Sequence, residues 1–310
     1  METIENQVFD AERALYASRG ISLINCAFDG PADGESALKE SADICLSHCF
    51  CNLRYPFWHD RGLMIEDSEM TPLCRAALWY SDQIEIVRTK LYGIKALREC
   101  SRVTMRDCDI RSPEFGWSVR GIEMERCNAE SEYFMMRAQN LIFTDVCLKG
   151  KYSFQYIQDA RLDRCTLDTK DALWHAKHVT VQNSVIRGEY LAWYCEDVTF
   201  KNCKISGTQP FCYCKGLKLI DCELRRGSDP DGAGNQHQKP ALRLYLRALC
   251  RRNYPRRPGC MRGNRDGCKI VLPYETPGAG LPQRNAVIFR FACRWKIDES
   301  AGRAVRRLRL

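Results

Sequence analysis

The sequence predicts an all-β chain wound as a single-stranded, right-handed parallel β-helix, and three observations carry that prediction. Apolar residues recur with a period of nineteen. Each recurrence is a pair at i and i+2. A residue that tolerates the left-handed backbone region stands before eight of the eleven pairs. A fixed period settles architecture before local propensity does, because it identifies the unit that stacks.

The coil starts are Ile84, Val103, Ile122, Leu141, Ala160, Val179, Val198 and Leu217, each nineteen residues after the last, preceded by looser coils from Ile21, Ile44 and Leu63. Two residues after each start stands a second apolar residue: Leu23, Leu46, Ile65, Ile86, Met105, Met124, Phe143, Leu162, Val181, Phe200 and Leu219. The residue between is mostly polar, as at Glu85, Thr104, Glu123, Arg161 and Thr180, so each coil opens with a strand that has one face inward. Five residues after the start runs a column of Cys26, Cys49, Ser68, Thr89, Cys108, Cys127, Val146, Cys165, Ser184, Cys203 and Cys222. Two further on, an apolar column that includes Phe28, Met70, Leu91, Ile110, Leu148, Leu167, Ile186, Ile205 and Leu224 marks a second short strand beyond a bend. A third segment closes the coil with Phe57, Leu78, Leu97, Met135, Phe154, Leu173 or Phe211, six residues before the next start. Immediately before the starts come Gly20, Asp43, Gly62, Gln83, Arg102, Gly121, Asn140, Asp159, His178, Asp197 and Gly216; Gly, Asp and Asn accept αL turns readily. Nineteen residues leave no room for a helical leucine-rich repeat, and the Trp-Asp marks of a propeller are missing. About eleven coils spaced by about 4.8 Å make a rod of roughly 50 Å, in which columns of sequence become stripes in space.

With 310 residues and 45% hydrophobic content the chain can bury a substantial core. Met-Glu-Thr-Ile at the start has neither the basic nor the apolar region of a signal peptide, and no run approaches a membrane span, so a soluble cytoplasmic protein is expected. The 19 cysteines then read as small buried hydrophobes kept reduced. Stacked cysteines approach disulfide range, but parallel Cβ vectors suit the bridge geometry poorly. Cys212-X-Cys214 reads as coil filling, since zinc would need two more placed ligands. The net charge of +8 divides unevenly: residues 1–224 hold 27 basic and 33 acidic side chains (−6), residues 225–310 hold 20 and 6 (+14). Nucleic acid binding by the rod itself is therefore not expected.

Candidate binding residues lie five and four positions before the coil starts. The first of these columns carries Trp58, Trp79, Trp117, Trp174 and Trp193; the second carries His59, Tyr80, Tyr156, His175, Tyr194 and Tyr213. Both columns also accept Lys39, Arg98, Gln155, Glu40, Glu99 and Arg137, which are unfavourable to bury, so at least one faces solvent. Rings repeated along a rod form a stripe with hydroxyl and imidazole edges, suited to stacking on sugars and bonding their hydroxyls, and a carbohydrate polymer or oligosaccharide is the natural match. A Trp near a sharp turn can equally fold over the coil below as structure. His175, between Tyr156 and Tyr194 in its column, is the one candidate for acid–base work. Phosphate-binding, serine-elbow and dinucleotide signatures are missing or incomplete, and no cofactor or metal site is expected.

The segments Ala-Leu-Trp-His-Ala-Lys-His-Val (172–179), Leu-Ala-Trp-Tyr-Cys-Glu-Asp-Val (191–198) and Gly-Thr-Gln-Pro-Phe-Cys-Tyr-Cys-Lys-Gly-Leu (207–217) resemble an uncharacterised bacterial domain-of-unknown-function family, DUF3737-like, of pectin-lyase-like β-helix proteins. The resemblance spans about residues 5–224. It implies the fold, a bacterial source and a cytoplasmic location, and it transfers no catalytic residues. Two functions follow as expectations: a carbohydrate-binding or carbohydrate-active protein using the aromatic stripe, or a non-catalytic scaffold whose stripe meets a protein partner.

Residues 225–310 are expected to be an aberrant, poorly ordered basic tail produced by a reading-frame shift near residues 222–230. The columns stop after Leu224, and Arg-rich runs such as 251–257 have no strand or helix period. Codons able to encode Asn235 through Pro258, read one base forward, can spell a strand-like string that resembles the closing segment of the same family. The alternative is a native basic tail that binds nucleic acid or caps the coil.

Overall fold

Strands with a single apolar face bury it by being laid one on the next around a common interior, and the chain does this over its described residues up to Arg226. The computed structural model describes residues 1–30, 35–226 and 286–288. It is a right-handed parallel β-solenoid of about 12 turns of roughly 19 residues. Six-residue strands such as Arg19–Ile24, Ser101–Arg106 and Lys177–Gln182 form one long sheet. The register is the sequence repeat itself: Val103 lies between Ile84 and Ile122, Met105 between Ile86 and Met124. Shorter strands, from Val8–Phe9 to Glu223–Arg226, build a parallel sheet of 12 strands beside it. One coil escapes the sequence columns. Glu2–Glu5 pairs with the strand from Arg19, with Ile4 over Leu23, so the rod has a coil more than the eleven expected; polar Glu2 at its start hid it. At the other end the strand runs on past Leu224 to Arg226. The rest of the expected tail lies outside the described residues, except Ala286–Ile288, which pairs antiparallel with Lys218–Ile220.

Inside, the three apolar columns are buried throughout the central coils, and large rings interlock across coils, as Phe115 with Phe134 (5.6 Å) and Phe134 with Phe154 (5.4 Å). The residues before the coil starts all take positive φ, including Arg102 and His178 at 52°, and they are skipped in the ladder opposite one another. Inward hydroxyls satisfy the backbone: Ser68 Oγ accepts from Cys49 N–H (2.9 Å) and Ser184 Oγ from Cys165 N–H (3.0 Å). One inward group is left incomplete. Asp60, 2% exposed, accepts the Ser41 N–H at Oδ1 (2.7 Å), while Oδ2 has no partner among the described residues. Burial pushes its carboxyl up to about 8, with the nearby Glu40 adding to the rise.

The bend between the two sheets, four residues after each start, is also left-handed, and its central occupants alternate in sign: Asp67, Arg88, Asp107, Arg126, Asp145, Arg164. Arg88 closes on Asp67 with two bonds (2.6 and 2.7 Å), Arg126 on Asp107 (2.7 and 3.0 Å) and Arg164 on Asp145 (2.8 and 2.9 Å). The guanidinium hydrogen bonds hold all three carboxyls below the ordinary carboxylate range. Such exposed pairs contribute little stability.

The third segment departs from the strand expected of it. A ladder joins Glu114–Phe115 to Tyr133–Phe134, but elsewhere every second residue is left-handed, as at Tyr55, Phe57 and His59 (φ 58°, 61° and 59°). Their N–H groups bond alternately forward and back, Tyr55 to Arg75 O (2.9 Å), Phe57 to Ala37 O (3.1 Å) and His59 to Trp79 O (2.9 Å). The neighbouring coils thus satisfy a backbone that would be strained alone. At Gly150 the corner leading into this segment has no room for a side chain: a Cβ there would lie 1.8 Å from Ser131 O.

Candidate functional site

Since the left-handed segment turns its middle residue inward, the next two side chains lie side by side on the outside, and stacking sets ring over ring. Trp58 lies on Trp79 (5.0 Å, 6° between planes) and Trp174 on Trp193 (5.3 Å, 4°). In the adjoining column His59 lies on Tyr80 (5.0 Å), and Tyr156, His175, Tyr194 and Tyr213 make one continuous stack at 4.9, 5.1 and 4.7 Å. Charged residues fit the tryptophan column by acting as rings. The Arg98 guanidinium sits 5.1 Å from Trp79 and 5.4 Å from Trp117, and the Lys39 ammonium 5.6 Å from Trp58. Gln155 is buried and donates to Asp171 O (3.1 Å).

The tryptophans are half-buried, and each indole N–H is already committed to a backbone carbonyl. Trp58 donates to Ala76 (2.6 Å), Trp79 to Lys95 (2.5 Å), Trp117 to Tyr133 (3.0 Å), Trp174 to Tyr190 (2.7 Å) and Trp193 to Gln209 (2.7 Å). They fix the stripe more than they present it. The exposed members are Tyr80 (40%), Tyr156 (49%), Tyr194 (46%) and Tyr213 (51%), together with His59 and His175. Stacking also changes what the stripe offers. Rings such as Tyr194 and His175 are covered on both faces by their neighbours, so a ligand meets edges, hydroxyls and imidazole nitrogens in place of the flat faces the columns suggest.

A third column, eight residues before the starts, is missing from the sequence reading. Tyr133 stacks on Tyr152 (5.0 Å) and stands edge-on to Trp117 (6.1 Å); Tyr55 and Tyr190 are edge-on to Trp58 (5.6 Å) and Trp193 (5.3 Å). Tyr133 and Tyr152 extend the ring contacts from Trp117 by two coils. The signal was present, because 133, 152 and 190 differ by multiples of nineteen. Lys170, raised by its bond to Glu189, lies 5.4 Å from the Tyr190 ring, while burial raises the carboxyl of Asp171 beside it.

His175 is held between Tyr156 and Tyr194, which fixes its ring plane and makes it a hydrogen-bonding edge within the track. A shallow groove of about 320 Å³, lined by Asp43, Gly62, Met64, Gln83 and Arg102 among others, lies on the outer face of the long sheet and includes none of the ring residues. Among the described residues no group of three or more His, Cys, Asp or Glu is placed to hold a metal ion.

The family described as "Protein of unknown function (DUF3737)" matches residues 2–230. The chain belongs to this family. Its match ends close to the last coil. No curated protein matches the chain in sequence. Among solved structures, an exopolygalacturonase from Thermotoga maritima is similar at 9% identity and a TM-score of 0.40, covering 73% of this chain and 84% of its own. DFA-IIIase from Arthrobacter chlorophenolicus A6 gives 8%, 0.39, 79% and 76%, and the surface adhesin PfbA of Streptococcus pneumoniae 9%, 0.37, 74% and 71%. Likeness at this level carries no argument about chemistry, and the site has to be read from its own side chains.

Proposed function

We propose that this DUF3737 protein binds an extended carbohydrate chain along the aromatic track, with the saccharide running parallel to the rod. The observation that carries the reading is the unbroken Tyr156–His175–Tyr194–Tyr213 stack, exposed at its edges and repeating at 4.7 to 5.1 Å. That repeat is close to the advance of one sugar unit in an extended glycan, so consecutive hydroxyls of a polymer meet consecutive phenols. Two residues after each ring, Gln158, Lys177, Glu196 and Lys215 are exposed and add donors and acceptors beside it. The rings are already locked by stacking, so little side-chain freedom is lost on binding.

The test removes hydroxyls and keeps rings. Tyr156→Phe, Tyr194→Phe and Tyr213→Phe combined leave the stack in place but delete three hydrogen-bonding tips. At about 0.5 to 1.5 kcal/mol for each bond lost, affinity for a glycan found by array screening falls at least about tenfold with the melt unchanged. Calorimetric titration checks this. Undiminished binding by the triple variant would exclude the phenol tips, and no glycan response at millimolar concentration, by calorimetry or tryptophan fluorescence, would favour a protein-binding scaffold.

A further inference from the structure

The cysteine column contains three pairs stacked in the same ladder register. Cys26 lies under Cys49, Cys108 under Cys127 and Cys203 under Cys222, each pair just before ladder partners Ala27↔Phe50, Asp109↔Asn128 and Lys204↔Glu223. A fourth pair, Cys195 and Cys214, meets on another side of the coil with sulfurs 3.1 Å apart. Seven of these eight thiols are buried; Cys222 alone is partly exposed. Its coil also differs mechanically. Among the described residues Glu223–Arg226 is the edge strand of its sheet, paired only with Lys204–Gly207, whereas strands at Cys108 and Cys127 are pinned on both sides. In-register coils hold Cα atoms about 4.8 Å apart, inside the disulfide range, but their Cβ atoms must close to roughly 3.8 Å. Lys218–Ile220 before Cys222 is paired on both sides, but the edge strand after it can make that shift; an internal coil cannot without displacing two neighbours.

We propose that Cys222 and Cys203 form an oxidation-sensitive dithiol, which a hydroperoxide converts to a disulfide joining consecutive coils. The Cys222 sulfur attacks the terminal peroxide oxygen, the O–O bond breaks, the alcohol or water departs, and Cys222 becomes a sulfenic acid. The Cys203 sulfur then displaces the hydroxyl from Cys222, forming the S–S bond, and the Cys203 proton leaves with that hydroxyl as water. Two thiols are oxidised and one peroxide is reduced by two electrons. The neighbouring Cys203 thiol lowers the Cys222 thiol to about 7, which favours the attacking thiolate. Cys127 is lowered in the same way by Cys108 but is sealed in the core, so access decides between the two pairs.

The full chain is treated with hydrogen peroxide, alkylated, digested without reduction and mapped by mass spectrometry. The expected result is a linked Cys203–Cys222 peptide that accumulates at least about tenfold faster than any change at Cys108, Cys127, Cys195 or Cys214. In C203S, Cys222 should stop at a sulfenic acid trapped by dimedone. Cys147, which is exposed, reports that oxidant has reached the protein. The proposal is overturned if Cys222 stays reduced while Cys147 is oxidised, or if Cys222 links to any cysteine other than Cys203. Mapping of the wild-type chain decides between these outcomes even where C203S fails to fold.

Discussion

Asp60→Asn should stabilise the protein in neutral and alkaline solution and remove much of its pH dependence. In the unfolded chain Asp60 titrates near 3.8; in the coil burial moves it to about 8. A carboxyl with a raised folded value contributes its full stability below the unfolded value and loses it as pH rises through the folded one. The loss is about 1.4 kcal/mol per unit over about four units, on the order of 5 kcal/mol between pH 4 and 8. The cause is local: Oδ2 has no partner among the described residues, and the one charge-stabilising bond comes from Ser41 N–H. Asparagine has the shape of the neutral acid and keeps an oxygen for Ser41, so it bypasses the ionisation. Urea unfolding at pH 5, 7 and 9 reads the effect, with wild type weakening steadily and the variant nearly flat. The aspartates paired with arginine at the bend do not interfere. Their lowered folded values add stability that is present above about pH 4 and lost only in acid. If variant and wild type lose stability equally between pH 5 and 8, Asp60 is not the buried acid this reasoning requires.

Two substitutions test the coil itself. Leu162→Asp places a carboxylate at a position with no solvent exposure and should unfold the central coils by several kcal/mol; a circular-dichroism melt equal to wild type would refute the register. Gly150→Ala sets a methyl 1.8 Å from Ser131 O, where backbone must move, and should lower the melting temperature by several degrees; a change within about one degree would show that the corner has slack.

Most of the fold was legible because an inward strand position admits little but apolar residues, so Leu23, Leu46 and Ile65 announce their own register. The first coil was not, because Glu2, at the inward start position at the end of the rod, escapes that constraint. The left-handed third side was not either. Phe57, Leu78 and His175 carry no turn signature, and the adjacent coils hold them in conformations they would not choose in isolation. For the site, the residue types in the two columns were readable, while ring orientation was not, since it arises from the spacing between coils. The Tyr133 and Tyr152 column and the Asp–Arg alternation at the bend were both periodic, but their outward positions lack the apolar uniformity that made the inward columns conspicuous.

The alternating backbone of the third side makes each coil a template. A residue held left-handed is disfavoured by roughly 1 to 2 kcal/mol, and here every second one is so held, with its N–H directed at a neighbouring turn. A solitary turn is therefore uphill, and it becomes favourable only when deposited on an existing one. Assembly of the rod should resemble crystal growth, with a slow seed followed by rapid addition at a growing face. Each new layer reaches back only nineteen to twenty-three residues, so the chain can build in the order in which it is synthesised.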